Sequence, residues 1–492
     1  MSNSYTLSPN GTLALVCGGV FLASLDQTSV VTALPEVMLD LGITIDRLDS
    51  LAWMVTAYLL GFTVAMPLLG RVGDIYGHRR LYAGALAVFA VGSVGVGLAD
   101  SLGWLLVGRV AQAIGGGALI PAALALGSEG VSIARRGLVL GIVGASAEMG
   151  AVLGPLYGGL LIHTLGWRWI FWTNLAPIAL LALGLLFVRE SARQGRRLDL
   201  AGGLLLAAGL GLLTVALAQR TTFSGGMALP YVIVAGSLTL LALLIVAERK
   251  VSEPILARGL FLSRRFVAAF SSQLLVGSAL IMALVTVPLM ANTVAGESPL
   301  EGGLRLVRFT GAMPLGALAG GYASRWIGYR APTVLGVGLA ALGFFMMSGW
   351  DADVADPALT LHLAVGGLGF GLVIAPLLAS AIETGGTEYR GTAAALITAS
   401  RMLGMTLGLA ALSAWGVGHF QLLTGNLAFP FPFAGETTEA FQLRQVVYQD
   451  GVAGASMELF SAFFRLGAFL SLAAIVPALW LSPARKAKTL LS

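Results

Sequence analysis

The sequence predicts an all-α integral membrane protein of fourteen spanning helices, and three observations lead there. Hydrophobic residues are 57% of the 492 and charged residues only 11%, against roughly 25% charged in soluble domains. Apolar runs of about 20 residues, the length that crosses a bilayer, recur from end to end. Basic residues crowd into alternate connections between those runs. A water-soluble fold could not hide so much apolar surface, because soluble chains of this length divide into domains joined by polar linkers.

The first run, 12–34, follows a stretch without basic residues and is too long for a cleaved leader, so it is expected to persist as a helix. The second, 51–70, opens at Trp53 and stops before Arg71, and the third, 81–99, begins after Arg79 and Arg80. The fourth, 103–127, carries Trp104 at its start, and the fifth, 137–161, follows Arg135 and Arg136. The sixth, 169–188, opens with Trp169 and Trp172 after Trp167 and closes before Arg189. The seventh and eighth, 199–218 and 230–248, hold no charge in their interiors and are expected at the periphery. The ninth, 266–291, follows Arg264 and Arg265; the tenth, 302–323, precedes Arg325 and Trp326; the eleventh, 331–349, lies between Arg330 and Trp350. The twelfth, 358–382, stops short of Arg390, the thirteenth, 391–416, ends on Trp415, and the fourteenth, 462–482, ends on Trp480 before Arg485. Tryptophan favours the membrane interface, so its placement at span ends supports these boundaries.

With the N-terminus on the cytoplasmic side, twenty Lys and Arg residues fall in connections on that side, against four, Arg47, Arg168, Arg220 and Arg444, on the other. Basic residues in short loops stay in the cytoplasm, so both termini are expected inside a multi-pass protein of the cell inner membrane. The net charge of +5 is then a topology signal and not a nucleic-acid surface. Cys17 stands alone, which excludes an internal disulfide and a cysteine metal cluster. His78, His163, His362 and His419 lie at span ends without metal-ligand spacing. The glycines between Gly366 and Gly371 fall inside a span and form no phosphate loop.

Gly70, Asp74, Gly77 and Arg79 are matched in offset by Gly321, Arg325, Gly328 and Arg330, so the chain reads as duplicated. The organisation is a six-helix half at 1–190, an inserted two-helix linker at 191–262, and a second six-helix half at 263–492. Within the last, the outer segment 417–461 is the longest non-spanning stretch, with a helix expected around Phe441 to Tyr448.

Five motifs in order resemble the drug:proton antiporters of the major facilitator superfamily, in their fourteen-helix branch, over essentially the whole chain. They are Asp26 to Pro35 in the first span; the loop Gly70, Asp74, Gly77, Arg79 and Arg80; Arg109 to Gln112 in the fourth span; Gly150, Gly154, Pro155, Gly158 and Gly159 in the fifth; and Trp167 to Asn174 before the sixth. The departures are Thr32 where asparagine is usual, and Ile75 and His78 where basic residues are common. In Tyr58 to Arg71, Glu148, Arg401 to Met405 and Ala410 to Gly416 the chain is most similar to the branch that exports triacylglycerides with a periplasmic lipoprotein. The resemblance implies two pseudo-symmetric halves and alternating access without a cofactor, driven by the proton gradient, in a monomer. It also implies that the loop at Gly70 latches the halves in one state.

A carboxylate in mid-span is costly by about 2.5–3.5 kcal/mol on insertion scales, so Asp26 and Glu148 need a cavity or a partner. They are expected to carry proton coupling, with a fixed ion pair as the competing reading, and Arg109 and Arg401 equally need an anion. Asp26 and Gln112 are expected to line a buried polar substrate cavity. Asp74 is placed near the N-terminal end of the third helix, where the dipole favours negative charge. The glycines at 150, 154 and 158 share one face and permit close helix approach, which is expected to form a rocking interface between halves. Pro155 should kink the same helix. Glu301 is expected to pair with Arg305, with Arg308 on the same face.

The function that follows is proton-coupled export of lipophilic or amphiphilic compounds, of the drug:proton antiporter type. The alternative is a lipid exporter acting with a periplasmic lipoprotein, in which case the outer segment should matter. A membrane-embedded enzyme, the remote alternative, would need a convergent nucleophile, base and carboxylate that the sequence does not offer.

Overall fold

The computed structural model describes residues 7–42, 48–129, 131–189, 199–218, 228–247, 258–297, 299–351, 354–386, 388–433 and 437–481. The basic residues Arg47, Arg193, Arg196, Arg197, Arg220, Arg249, Lys250, Arg485, Lys486 and Lys488 lie outside them. Helices run in the order α1 (Pro9–Asp40), α2 (Leu48–Tyr76), α3 (His78–Gly97), α4 (Leu102–Ser128), α5 (Ile133–Leu165), α6 (Trp169–Trp172), α7 (Leu175–Leu185), α8 (Leu200–Ala218) and α9 (Ala228–Ala247). They continue as α10 (Arg258–Leu262), α11 (Arg264–Thr293), α12 (Pro299–Ile327), α13 (Arg330–Met347), α14 (Ala358–Gly385), α15 (Arg390–Thr424), α16 (Thr438–Ala473) and α17 (Ile475–Ala478). No strand occurs among the described residues.

Every expected span meets a helix, the sixth as α6 plus α7 and the last as α16 running into α17. Among the described residues nine helices are long and apolar enough to cross a membrane, and three shorter apolar stretches, Trp169–Leu185, Ala201–Leu213 and Val232–Leu244, take further positions. The remaining two, α2 and α12, have 29 residues each, about 43 Å of helix. The arrangement is consistent with fourteen spans in a multi-pass membrane protein.

α1 packs on α5 and α4 on both α2 and α3 to form one bundle, while α14 packs on α12 and α13 and α11 on α15 to form the other. The bundles meet where α5 crosses α12 and α2 crosses α15. The inserted α8 and α9 pack on each other, and α8 leans on α2 and α15 through Leu206 and Leu210, near Val64, Leu68 and Leu403.

The duplication is visible in the backbone. α2 stops at Tyr76 and α3 begins at His78 across Gly77, whose φ of +99° suits glycine; α12 stops at Ile327 and α13 begins at Arg330 across Gly328, with φ of +73°. Because successive helices alternate in direction, both turns share one end with the starts of α5, α11 and α15, which carry Arg135, Arg264 and Arg390; we call this the basic end. There the halves touch: a Cβ on Gly70 would lie 2.8 Å from Gly391 O, and one on Gly321 would lie 2.5 Å from Gly137 O. Towards the opposite end Pro155 and Gly159 are exposed, and nothing lies within 4 Å of a Cβ on Gly159. The halves thus touch at the basic end.

α15 and α16 have 35 and 36 residues, more than 50 Å each for a hydrocarbon core of about 30 Å. The helix expected around Phe441 to Tyr448 is therefore not separate but the first turns of α16. Thr437 caps it by accepting from Ala440 N at 3.3 Å, and no proline interrupts it before Ala473.

Candidate functional site

Three polar assemblies stand out against the apolar interior, two within the spans and one at the basic end. The first surrounds Asp26 on α1. Its Oδ2 accepts from Arg109 Nη1 at 2.9 Å, and its Oδ1 accepts from Gln112 Nε2 at 3.2 Å and Asn174 Nδ2 at 2.8 Å. Gln112 Oε1 also accepts from Arg109 Nη1 at 2.9 Å, and Ser93 Oγ accepts from Gln112 Nε2 at 2.9 Å. The Arg109 guanidinium lies 4.2 Å from the Tyr58 ring centroid, a cation–π contact that strengthens where water is excluded. Gly92 lets α3 approach α4, since a Cβ there would stand 2.5 Å from Gln112 N.

Asp26 and Gln112 are 1% and 0% exposed. The expectation that they line a substrate cavity is corrected: they are sealed inside the first half, because Arg109, Gln112 and Asn174 close over the carboxylate. Ser93, Tyr58 and Asn174 join this network although the sequence assigns them no role. A polar amide within the apolar run that opens the sixth span was the available signal for Asn174.

The second assembly joins the halves. Arg401 Nη1 on α15 donates to Glu148 Oε1 on α5 at 2.8 Å, both side chains being largely buried. Glu148 stands eleven residues after Gly137 and Arg401 ten after Gly391, the glycines at which α5 and α15 meet the opposite half. The pair thus bridges nearly equivalent positions of the duplicated units. It lines a narrow cavity otherwise walled by Val20, Ile120, Leu124, Val143, Ile374 and Leu378, with Gln273 and Thr398 beside it.

The third assembly is at the basic end, beyond the apolar span 51–70. Asp74 Oδ1 accepts from Gly391 N at 2.7 Å, and its Oδ2 accepts from Thr392 N at 2.8 Å and Thr392 Oγ1 at 2.6 Å. Asp74 therefore belongs to α2 and caps α15 of the other half, not the third helix as expected; α2 runs unbroken to Tyr76 and aims the carboxylate across the seam. Burial, opposed by those hydrogen bonds and by Arg71, pushes Asp74 up to about 6. The Arg71 guanidinium lies 4.8 Å from the Tyr389 ring centroid, and His78 Nε2 lies 3.4 Å from Asp74. Arg79 donates to Leu185 O at 3.0 Å and Leu186 O at 3.4 Å, tying α3 to the end of α7, and Arg80 is exposed.

The glycines of α5 are also relocated. A Cβ on Gly150 would lie 2.4 Å from Phe21 O, one on Gly154 2.8 Å from Leu25 O, and one on Gly158 2.5 Å from Ser29 O, all on α1 of the same half. The seam with the other half runs through Gly137 and Gly141, three turns nearer the basic end, so the expected rocking interface is displaced along the helix. Pro155 and Gly159 are exposed towards the end opposite the basic one. Arg305 bonds Glu297, and Arg308 bonds Asp356 at 2.8 Å, at the end opposite the basic one.

The family model described as Major Facilitator Superfamily matches residues 16–409. A triacylglyceride transporter of Mycolicibacterium hassiacum is 38% identical over 437 residues, 85% of this chain and 81% of the relative. A triacylglyceride transporter of Mycobacterium tuberculosis is 35% identical over 464 residues, 90% of this chain and 89% of the relative. Among solved structures, a human organic anion transporter superposes with a TM-score of 0.61 at 17% identity, covering 95% of this chain and 100% of that one. A proton:xylose symporter superposes with a TM-score of 0.60 at 15% identity, covering 95% of each.

Proposed function

The chain belongs to the major facilitator superfamily, and on that premise we propose that it exports a triacylglyceride-like lipid, driven by protons, through alternating access of its two halves. The observation that carries the substrate is the likeness, over most of the chain, to relatives named triacylglyceride transporters. The basic end is the cytoplasmic one by the positive-inside rule, so the opposite end, which we read as the open side, faces outward from the inner membrane.

Glu148 carries the coupling in this reading. A proton arriving from the open side neutralises it and releases Arg401. Unit charges about 4 Å apart attract by about 4 kcal/mol at an effective dielectric near 20. Moving a two-state equilibrium from 1:99 to 99:1 takes about 5.5 kcal/mol, so one such pair supplies most of the switch. Asp26 with Arg109 instead holds the first half together as a body that rocks.

The extensions of α15 and α16 give the lipid a path beyond the membrane. Leu422, Phe429, Phe431, Phe433, Leu443 and Val447 are exposed there. The connection is ordered on α16 by Phe429 against Tyr448 at 5.4 Å and Arg444 Nη2 donating to Phe431 O at 2.9 Å. A periplasmic lipoprotein is the proposed acceptor at this apolar surface. The test is a lipid inventory of proteoliposomes under an imposed pH gradient, with the full chain and with residues 425–447 deleted. Triacylglyceride export should need the protein and collapse in the deletion; equal export by both would sink the lipid route, and export of ethidium alone would restore the drug reading.

A further inference from the structure

Two buried polar atoms at the Glu148–Arg401 cavity lack a hydrogen-bond partner within the protein: Oε1 of Gln273 and Nε of Arg401. Gln273 is 2% exposed and lines the same cavity as Arg401. α11 and α15 are pressed together there, since a Cβ on Gly277, one turn past Gln273, would stand 2.2 Å from the Arg401 carbonyl oxygen. The hydroxyl that lines the cavity, Thr398 Oγ1, already donates to Ala394 O at 2.9 Å. Burying a polar group without a partner is unfavourable, and more so when it is charged.

The chemistry of the two atoms selects the guest. Gln273 Oε1 is an acceptor and needs a donor, whereas Arg401 Nε–H is a donor and needs an acceptor. An ester carbonyl or a carboxylate would serve the arginine alone. An ammonium would serve the glutamine alone and be repelled by the guanidinium. A hydroxyl oxygen serves both.

We propose that Gln273 and Arg401 form a hydroxyl-binding subsite, in which one oxygen, of water or of an alcohol on the exported molecule, donates to Gln273 Oε1 and accepts from Arg401 Nε. Held by this oxygen on one edge, the guanidinium presents Nη1 to Glu148 on the other, so Gln273 is a positioning residue for the inter-half pair. A triacylglyceride has no free hydroxyl, so the alcohol source extends the lipid reading above to partial glycerides that keep one, and the water source does not rest on that reading.

The full chain in lipid nanodiscs separates the sources. One arm measures binding of dioleoylglycerol and of its methyl ether. If the guest is a substrate alcohol, wild type binds the alcohol about tenfold tighter than the ether, the worth of one good hydrogen bond, and Gln273→Met brings the ratio to about one. The other arm measures the pH of half-maximal efflux, using whichever of labelled triacylglyceride and ethidium wild type exports. If the guest is water, wild type does not discriminate alcohol from ether, but Gln273→Met displaces that pH by about half a unit or more. Gln273→Asn replaces it should the methionine variant melt early. Absence of discrimination in wild type together with an unmoved pH profile in a natively melting variant would overturn the subsite. Failure of wild type to bind either lipid would instead remove the alcohol source, leaving the pH arm to decide the subsite.

Discussion

At the scale of single residues, the charged groups buried in the spans divide by what they connect. Asp26 and Arg109 join helices of one half, so their loss should be felt as instability. Asp26→Leu strands a buried guanidinium, a change of about 3–5 kcal/mol, while Asp26→Leu with Arg109→Met should recover part of it. Thermal unfolding in detergent reads both, and a double variant no more stable than the single one would show that the pair is not the network's centre. Asp74 tests the opposite role, since it joins the halves. Its carboxyl is held at about 6 in the closed state against about 3.9 for an ordinary aspartate. The closed state therefore binds the proton more tightly; that stabilisation is full below about pH 4 and lost as pH rises through 6. Spin labels at the exposed Tyr76 and Trp326 positions should report a growing closed population as pH falls from 7 to 4.5. In Asp74→Asn this step should vanish, and a step that survives unchanged would take the pH response away from Asp74; His78, whose pKa burial lowers, would drive the opposite change.

At the scale of helices, glycine separates packing inside a half from packing between halves. Gly154 faces backbone of α1 and Gly321 faces backbone of α5 across the seam. Gly154→Leu should lower the melting temperature by overpacking a core, a cost of about 1–3 kcal/mol, and leave the halves free to close. Gly321→Leu should leave the melt nearly intact but keep the basic end apart in the same spin-label measurement; a normal closed distance would remove Gly321 from the seam. Helix positions were legible in the sequence because bilayer thickness sets their length and basic turns and tryptophans mark their ends. What a glycine face packs against was not, since a four-residue spacing says that something comes close without saying what. The same limit explains the outer helix near Phe441: hydropathy drops where α16 leaves the membrane, although the backbone continues unbroken.

At the scale of the whole molecule, two six-helix units meet at glycine contacts on the basic end and at an ion pair above them. The buried charges were legible individually, as costly exceptions in apolar runs, but their pairing was not. Asp26 reaches Arg109 across 83 positions and Asn174 across 148, and Glu148 reaches Arg401 across 253. No local pattern encodes such partners; the packing of α1 on α4 brings Asp26 to Arg109, and the meeting of the halves at α5 with α12 and α2 with α15 brings Glu148 to Arg401. The inserted α8 and α9 belong to neither unit, and α8 covers the α2–α15 side. The most direct test of proton-driven alternation is efflux of labelled triacylglyceride from proteoliposomes, with and without an imposed pH gradient, by wild type and by Glu148→Gln. The gradient should accelerate wild type and leave Glu148→Gln at its ungradiented rate, with lipid binding retained; a variant that the gradient accelerates as much as wild type would contradict the coupling assigned to this pair.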